Sequence, residues 1–211
     1  MKAAVIIPAR AGSKGIPGKN MQRIGGRTLI RRCAMVCTSA GVGPVYVSTD
    51  SLEIGNESGV SIIMHPPELA SDTASSEAVM EHALGHEQLA DVDIAVMVQC
   101  TAPWVQPDDI RGCVEAVEAG AGSAIAACRF HGMLWEAGAV LGAVPCGHSW
   151  QRERRQDVAP RWLEAGSVYA YRVDRYRGSR FVVPVHLHEV PAERVFEIDE
   201  PWQLEMARNY G

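Results

Sequence analysis

Hydrophobic residues fall in two rhythms along this chain. The runs "AAVIIP" (3–8), "PVYVSTD" (44–50), "VSIIM" (60–64), "VDIAVMVQC" (92–100) and "GSAIAACRF" (122–130) are short and nearly continuous. Such runs fit strands covered on both faces. Between them, "RTLIRRCAMVCTSA" (27–40), "DTASSEAVMEHALGHEQL" (72–89) and "PDDIRGCVEAVEAG" (107–120) carry apolar residues at helical spacing. Gly41 and Gly43 are placed to stop the first helix, and Pro107 with two acids suits the start of the third. This alternation predicts an α/β fold with a mostly parallel sheet. Near residue 130 the rhythm breaks, and "HGMLWEAGAVLGAVPCGHSWQRERRQD" (131–157) reads as short antiparallel ribbon or irregular excursion. A strand returns at "SVYAYRV" (167–173), and a last helix is expected after "FEIDEP" (196–201).

Composition narrows the class. At 211 residues and 47% hydrophobic, the chain is expected to be one α/β domain with a small inserted lobe. A net charge of −5 argues against nucleic acid and against a polybasic membrane contact. The first apolar run ends at Pro8, too soon for a signal peptide, and no stretch approaches the roughly 20 apolar residues of a membrane span. Six cysteines lack CxxC spacing, which points to reduced core thiols in the cytoplasm. Cys33 and Cys37 share a helix face and His186 and His188 a strand face, but neither pair has further ligands nearby, and packing roles are expected.

The chemistry concentrates in "IIPARAGSKGIPGKN" (6–20), a strand running into glycines, prolines and cations. Of only three lysines against 17 arginines, two, Lys14 and Lys19, fall here. Compact ammonium groups among flexible backbone suit phosphate oxygens. A Walker loop needs GxxxxGK[ST], but Asn20 follows Lys19 and Ser13 stands where the first glycine belongs; GxGxxG is also absent. What remains is a nest of main-chain amides with Arg10, Lys14 and Lys19 around it. In open α/β sheets ligands lie beyond the strands' carboxyl ends, so this loop, Ser48–Thr49–Asp50 and "QCTAPW" (99–104) are expected to converge.

The loop "IPARAGSKGIPGKN" resembles the signature of the acylneuraminate cytidylyltransferases, the CMP-sialic acid synthetase family. "STD" (48–50), "PPELASDTASSEAVMEHAL" (66–84), "QCTAPW", "RRQD" (154–157), "GSVYAYR" (166–172) and "FEIDEPWQL" (196–204) follow in the family's order, so the likeness covers nearly the whole chain. It implies a Rossmann-like nucleotidyltransferase fold in which 131–166 forms a dimerisation lobe. Arg154, Arg155 and Asp157 would then act partly across a homodimer.

The resemblance implies transfer of CMP from CTP to an acidic acceptor, with pyrophosphate released. By analogy, Arg10, Ala11, Gly12, Ser13 and Lys14 hold the triphosphate, Lys19 and Arg10 are catalytic, and Asn20 orients ribose or phosphate. Ala74 and Ser76 face cytosine; in the same stretch Asp72, Thr73 and Ser75 are capping residues, with Glu77 placed to complete a box. Glu197 and Asp199 match the late acidic pair that holds Mg2+; on a strand, i and i+2 share a face. A solvated pair with Asp199 as helix cap is the plain alternative, and Asp50 is a weaker metal candidate.

The chain departs from the family in places. His65 stands where arginine is usual. The acceptor strip Gln-Pro-Thr-Ser-Pro-Leu-Arg reads Gln99-Cys100-Thr101-Ala102-Pro103-Trp104-Val105, and Asn-Gly is Ala165-Gly166. Gln99, Arg155 and Tyr169 remain for a small anion, so two acceptors stay open: a sialic-type acid, or a smaller one such as the phosphonate phosphonoformate. Two other classes compete, a nucleotidyltransferase using another triphosphate and a silent sugar-nucleotide-binding module. Glu197 and Asp199 argue against the second.

Overall fold

The computed structural model describes residues 1–138, 142–146, 149–151, 154–159 and 161–210, with the Arg155 side chain outside the description. Strand β1 (Ala3–Pro8) lies inside a seven-stranded sheet with both faces covered. Val5 and Ile7 enter one apolar cluster, Ala4 and Ile6 the other, which explains why the run is continuous rather than alternating.

From β1 the chain loops through two-residue strands β2 (Arg23–Ile24) and β3 (Arg27–Thr28) into α1 (Leu29–Ala40). The Thr28 hydroxyl caps α1 by accepting from the Arg31 amide, and Leu29, Ile30, Ala34, Cys37 and Ala40 form its buried stripe. Strand β4 (Val45–Thr49) follows, then α2 (Leu52–Ser58) and β5 (Ser61–Met64). The apolar pattern does not predict α2: seven residues carrying Gly55 and an exposed Leu52 offer no periodic stripe.

Helix α3 (Ser76–Leu84) is shorter than the predicted 72–89 segment, whose tail forms a separate 3-10 turn at Glu87–Leu89. Its cap is Ser75, accepting from the Ala78 amide at 3.1 Å, so Glu77 is one position too early to complete a box. Strand β6 (Ile94–Val98) leads into α4 (Pro107–Glu118), with Pro107 at the first turn and a reciprocal Gln106–Asp109 capping box. After β7 (Ser123–Phe130), β8 (Leu134–Gly138) and β9 (Gly142–Cys146) pair antiparallel, the ribbon rather than the irregular excursion of the two readings the sequence leaves open. Strand β10 (Arg161–Arg172), β11 (Val185–Glu189) and α5 (Pro201–Tyr210) complete the chain.

The sheet order is β11-β7-β10-β6-β1-β4-β5. Every neighbouring pair is parallel except those made by β10, which runs antiparallel between β6 and β7. Strand β10 also starts earlier than the predicted 167. Residues 161–164 pair with 130–127, then the register shifts between Glu164 and Tyr169. That bulge puts Gly166 at φ +64°. Apolar residues of α1, α2, α4 and α5 pack on one face of the sheet and those of α3 on the other.

Among the described residues the Cys33 and Cys37 sulfurs lie 4.0 Å apart on α1, no group of three His, Cys, Asp or Glu side chains forms a metal cage, and no helix is long and apolar enough to cross a membrane.

One buried charge ties the C-terminal segment to this frame. Asp109, 3% exposed, accepts from the Gln106 amide at 2.8 Å and from Arg194 Nη1 at 2.6 Å. Asp109→Ala removes the cap and leaves Arg194 without its carboxylate. The expected loss is about 2–3 kcal/mol, read as a thermal midpoint lower by roughly 4–12 °C in calorimetry.

Candidate active site

The carboxyl ends of β1, β4 and β6 open on one side of the sheet, and the three segments expected there do converge. The loop leaving β1 is fixed at several points. Ile16 is buried, and Gly15 rests on the Asp199 carbonyl so closely that a Cβ would overlap it. The Ala11 amide donates to Asp50 Oδ1 at 2.8 Å, and Asn20 Nδ2 donates to the Arg10 carbonyl at 2.9 Å. Two expectations change. The Ala11 amide is already used, so it is not a free member of an anion nest. Asp50 serves as loop anchor, which explains its place at the tip of β4 without a metal.

Beside this loop lies an open cleft of about 160 Å3 whose walls include Arg10, Lys19, Asn20, His65, Ala74 and Ser76. Five predicted residues are thus brought together; Gly12, Ser13 and Lys14 lie outside the lining. The cations are not idle. Lys19 Nζ, 16% exposed, sits 2.9 Å from Asp199 Oδ1. Arg10 and Lys14 both reach Asp72, at 2.9 and 3.2 Å. The Lys14 and Arg10 hydrogen bonds hold the Asp72 carboxyl below its usual range. Asp72, read from sequence as a capping residue, is instead the counter-charge at the mouth of the cleft.

His65 ends the cleft on the α3 side. It is 4% exposed, its Nδ1 lies 3.0 Å from Ser48 Oγ, and its buried Nε2 has no hydrogen-bond partner among the described residues. Burial holds its pKa below the ordinary histidine value, with Asp50 opposing.

The acidic pair is arranged differently from the strand that spacing suggested. Residues 195–199 form an extended segment outside any sheet, in which Ile198 is buried and its amide donates to the Thr101 carbonyl at 2.8 Å. Glu197 and Asp199 flank it. Asp199 does not cap α5: the helix begins at Pro201, the Asp199 carboxylate is turned to Lys19, and Gln203 Oε1 accepts from the amides of Asp199 and Glu200, both at 2.8 Å. Burial, then Asp199 and Glu164, raise the Glu197 pKa above the usual range, and Lys19 opposes them. The β10 bulge shapes this corner: a Cβ on Gly166 would collide with the Glu197 carboxyl.

Tyr169 is buried, hydrogen-bonded through its hydroxyl to Glu164, and covered by the Arg180 guanidinium 4.6 Å from its ring centroid. Burial and Glu164 push its phenol pKa far up. Gln99 is bound at its amide to the Ser167 carbonyl, 3.0 Å away, which draws it toward β10. The Arg155 side chain, the third expected acceptor contact, falls outside the described residues.

The departures in the acceptor strip have a packing origin. Cys100, Ala102, Val105 and Ala165 are all 5% exposed or less and join the apolar cluster on the α1 and α4 side. The Trp104 indole packs against Phe196, tilted, with ring centroids 4.5 Å apart, and is absent from the cleft lining, so it props the 195–199 segment from outside. Glu164, Asp72 and Arg180 were not singled out as site residues from sequence. Each is a single charged side chain, and only folding gives it a neighbour.

A family model described as Cytidylyltransferase matches residues 4–128, which hold the loop, β4, His65, α3 and the strip after β6. The chain belongs to the cytidylyltransferase family. The N-acylneuraminate cytidylyltransferase of Streptococcus agalactiae serotype III (strain NEM316) is 36% identical over 121 residues, covering 54% of this chain and 29% of the relative. N-acylneuraminate cytidylyltransferase A of Danio rerio is 31% identical over 176 residues, covering 79% and 40%. The chain therefore spans well under half the length of these relatives. A solved structure of CMP:2-keto-3-deoxy-manno-octonic acid synthetase complexed with CTP shares the fold at a TM-score of 0.72 and 20% identity. The match covers 100% of this cytidylyltransferase chain and 98% of that one.

Two substitutions test the geometry. Gly166→Ala adds left-handed strain, about 1–2 kcal/mol, to the collision with Glu197, and the thermal midpoint is expected to fall by roughly 2–8 °C. In the Gly166→Ala/Glu197→Ala double variant the loss should be less than additive, since the collision is gone. Asp72→Asn frees Arg10 and Lys14, and calorimetry should find inorganic triphosphate bound roughly two- to tenfold more tightly, the range for exposed ion pairs.

Proposed function

We propose that this chain transfers CMP from CTP to an acidic acceptor and releases pyrophosphate. The observation that supports this most is the cleft itself. It gathers Lys19, Arg10 and Asn20 with His65, Ala74 and Ser76 in one lining. Cations and neutral groups sharing one cleft suit a mononucleotide that lies with its phosphates toward the loop. The CTP named for the solved synthetase complex supports the same choice of nucleotide.

In this reading the triphosphate displaces Asp72 from Arg10 and Lys14, which take the departing pyrophosphate. Lys19, held by Asp199, faces the α-phosphate and offsets the charge that grows there; transfer of this kind rests mainly on positioning and charge neutralisation. The base is read by the backbone at Ala74, by Ser76 and by His65. Ser48 pairs with Nδ1, which leaves the buried Nε2 without a partner among the described residues.

Glu197 and Asp199 fit a divalent cation. Glu197 is half-buried with its pKa raised by burial and by two neighbouring carboxylates, so a cation there would relieve a repulsion already present. A pair of carboxylates with no fuller cage suits Mg2+, which keeps water and binds substrate phosphates. When bound, the ion supplies charge stabilisation at the phosphates and a fixed point for the acceptor anion.

The acceptor lies toward Gln99 and Tyr169. Sialic-type acids and small phosphonates such as phosphonoformate are both acidic enough to serve. The buried positions of Ala102, Val105 and Ala165 mean that the missing polar groups were given up to packing, which leaves a site with few directional partners. We read the lobe at 131–166 as the contact with a second copy, because its described part exposes Leu134, Trp135, Trp150 and Trp162. The six free thiols suit a reducing cytoplasm.

The test is pyrophosphate release from each nucleoside triphosphate with Mg2+, against a panel of sugar acids and phosphonates. CTP with an acidic acceptor is expected to turn over. Lys19→Ala should lower kcat by ~10²–10³, as for a lost oxyanion donor. Preference for another triphosphate, or silence with every pair, would overturn the proposal.

A further inference from the structure

Arg180 stands out because it is held firmly yet left partly unused. It lies in the loop between β10 and β11, two residues before Val182, whose amide and carbonyl both bind the buried Ser123 hydroxyl, at 3.0 and 2.9 Å. Its side chain is only 14% exposed. The Nε donates to Glu77 Oε1 at 2.7 Å, and one guanidinium face covers the Tyr169 ring. Glu77, drawn below its usual pKa chiefly by that hydrogen bond, directly follows the cleft residue Ser76 on α3, and its carbonyl accepts from the Tyr176 hydroxyl at 3.1 Å.

These contacts use one of the five guanidinium N–H groups. Among the described residues neither Nη atom has a hydrogen-bond partner, and neither is among the fully buried polar atoms lacking one. A guanidinium fixed at its Nε and at one face, with its two-pronged edge open, is the geometry that takes a carboxylate or phosphonate through two parallel hydrogen bonds. Its fixed position also means that little side-chain entropy is lost on binding. The nearest competing acid, Glu164, is already tied to the Tyr169 hydroxyl.

We propose that Arg180 recognises the acceptor, binding an oxyanion of its carboxylate or phosphonate group through the outer guanidinium edge. The inference rests on the transferase reading above and names a specificity residue within it. It accounts for how a site stripped of polar side chains at Ala102, Val105 and Ala165 selects an acid at all. The required partner is a small molecule with a group bearing at least two oxygens that share a negative charge.

The experiment is steady-state kinetics of wild type, Arg180→Lys and Arg180→Met with CTP. The acceptors are a 2-keto sugar acid, its C1 carboxamide and phosphonoformate, and thermal melts check the fold. Arg180→Met should raise KM for the preferred acid about 10–100-fold, leave KM for CTP within about twofold, and erase the preference for acid over carboxamide; loss of a charge-assisted bidentate pair sets that scale. Arg180→Lys should recover part of the affinity. Whichever acid the wild type prefers, sugar acid or phosphonocarboxylate, should be the one whose KM moves.

An equal rise in KM for CTP would make Arg180 a brace for α3 and overturn the proposal. An unchanged acceptor KM in an active, folded variant would overturn it too, leaving the transferase reading intact. Silence of the wild type with every acceptor would overturn that reading and this inference with it. Glu77→Gln guards against misfolding: it keeps the side chain in place, and an acceptor KM within about threefold of wild type supports recognition by the open edge. An effect as large as that of Arg180→Met counts against it.

Discussion

The ion pair between Lys19 and Asp199 joins two parts of the chain that are 180 residues apart in sequence. Lys19 belongs to the loop that leaves the first strand, and Asp199 to the last extended segment before α5. With Gly15 resting on the Asp199 carbonyl, the loop and the segment are in contact through both backbone and side chain. A site that grips phosphates from one side and positions carboxylates from the other needs this closure, since neither half alone sets the distance between opposite charges. The sheet makes it affordable. Strand β1 is covered on both faces, so the loop starts from a rigid strand end, and Asp109 fixes the other half through Arg194.

Charge is balanced around the cleft before any ligand arrives. Lys19 has Asp199, Arg10 and Lys14 share Asp72, and Arg180 has Glu77. Without such partners, clustered cations would repel one another. With them, binding becomes an exchange of one anionic partner for another. Exposed partners such as Asp72 give way at little cost. Glu197 is the exception. Burial and two carboxylate neighbours outweigh the nearby Lys19, and its raised pKa records that imbalance.

Much of this was legible in the sequence, and the reason differs by element. Continuous apolar runs marked β1, β4 and β6 because a strand buried on both faces leaves no polar position. The loop at 9–20 could be read because glycine, proline and two of three lysines crowd into it. The position of β10 could not. Its direction and its place between β6 and β7 depend on register across distant segments, and the bulge at Gly166 hides the early start of the strand. Cys100, Ala102, Val105 and Ala165 looked like changes to a binding surface, and only burial distinguishes that from packing. Asp72, Glu164 and Arg180 carried no signal, because a lone charged residue gains meaning only from what folding sets beside it.

Because β10 runs against its neighbours, its first residues, rather than its last, meet the carboxyl end of β7. The ribbon of β8 and β9 is therefore spliced in beyond the carboxyl end of β7, as a two-stranded sheet of its own. Such a joint lets the excursion lengthen or shorten over evolutionary time without disturbing a rung of the seven-stranded scaffold.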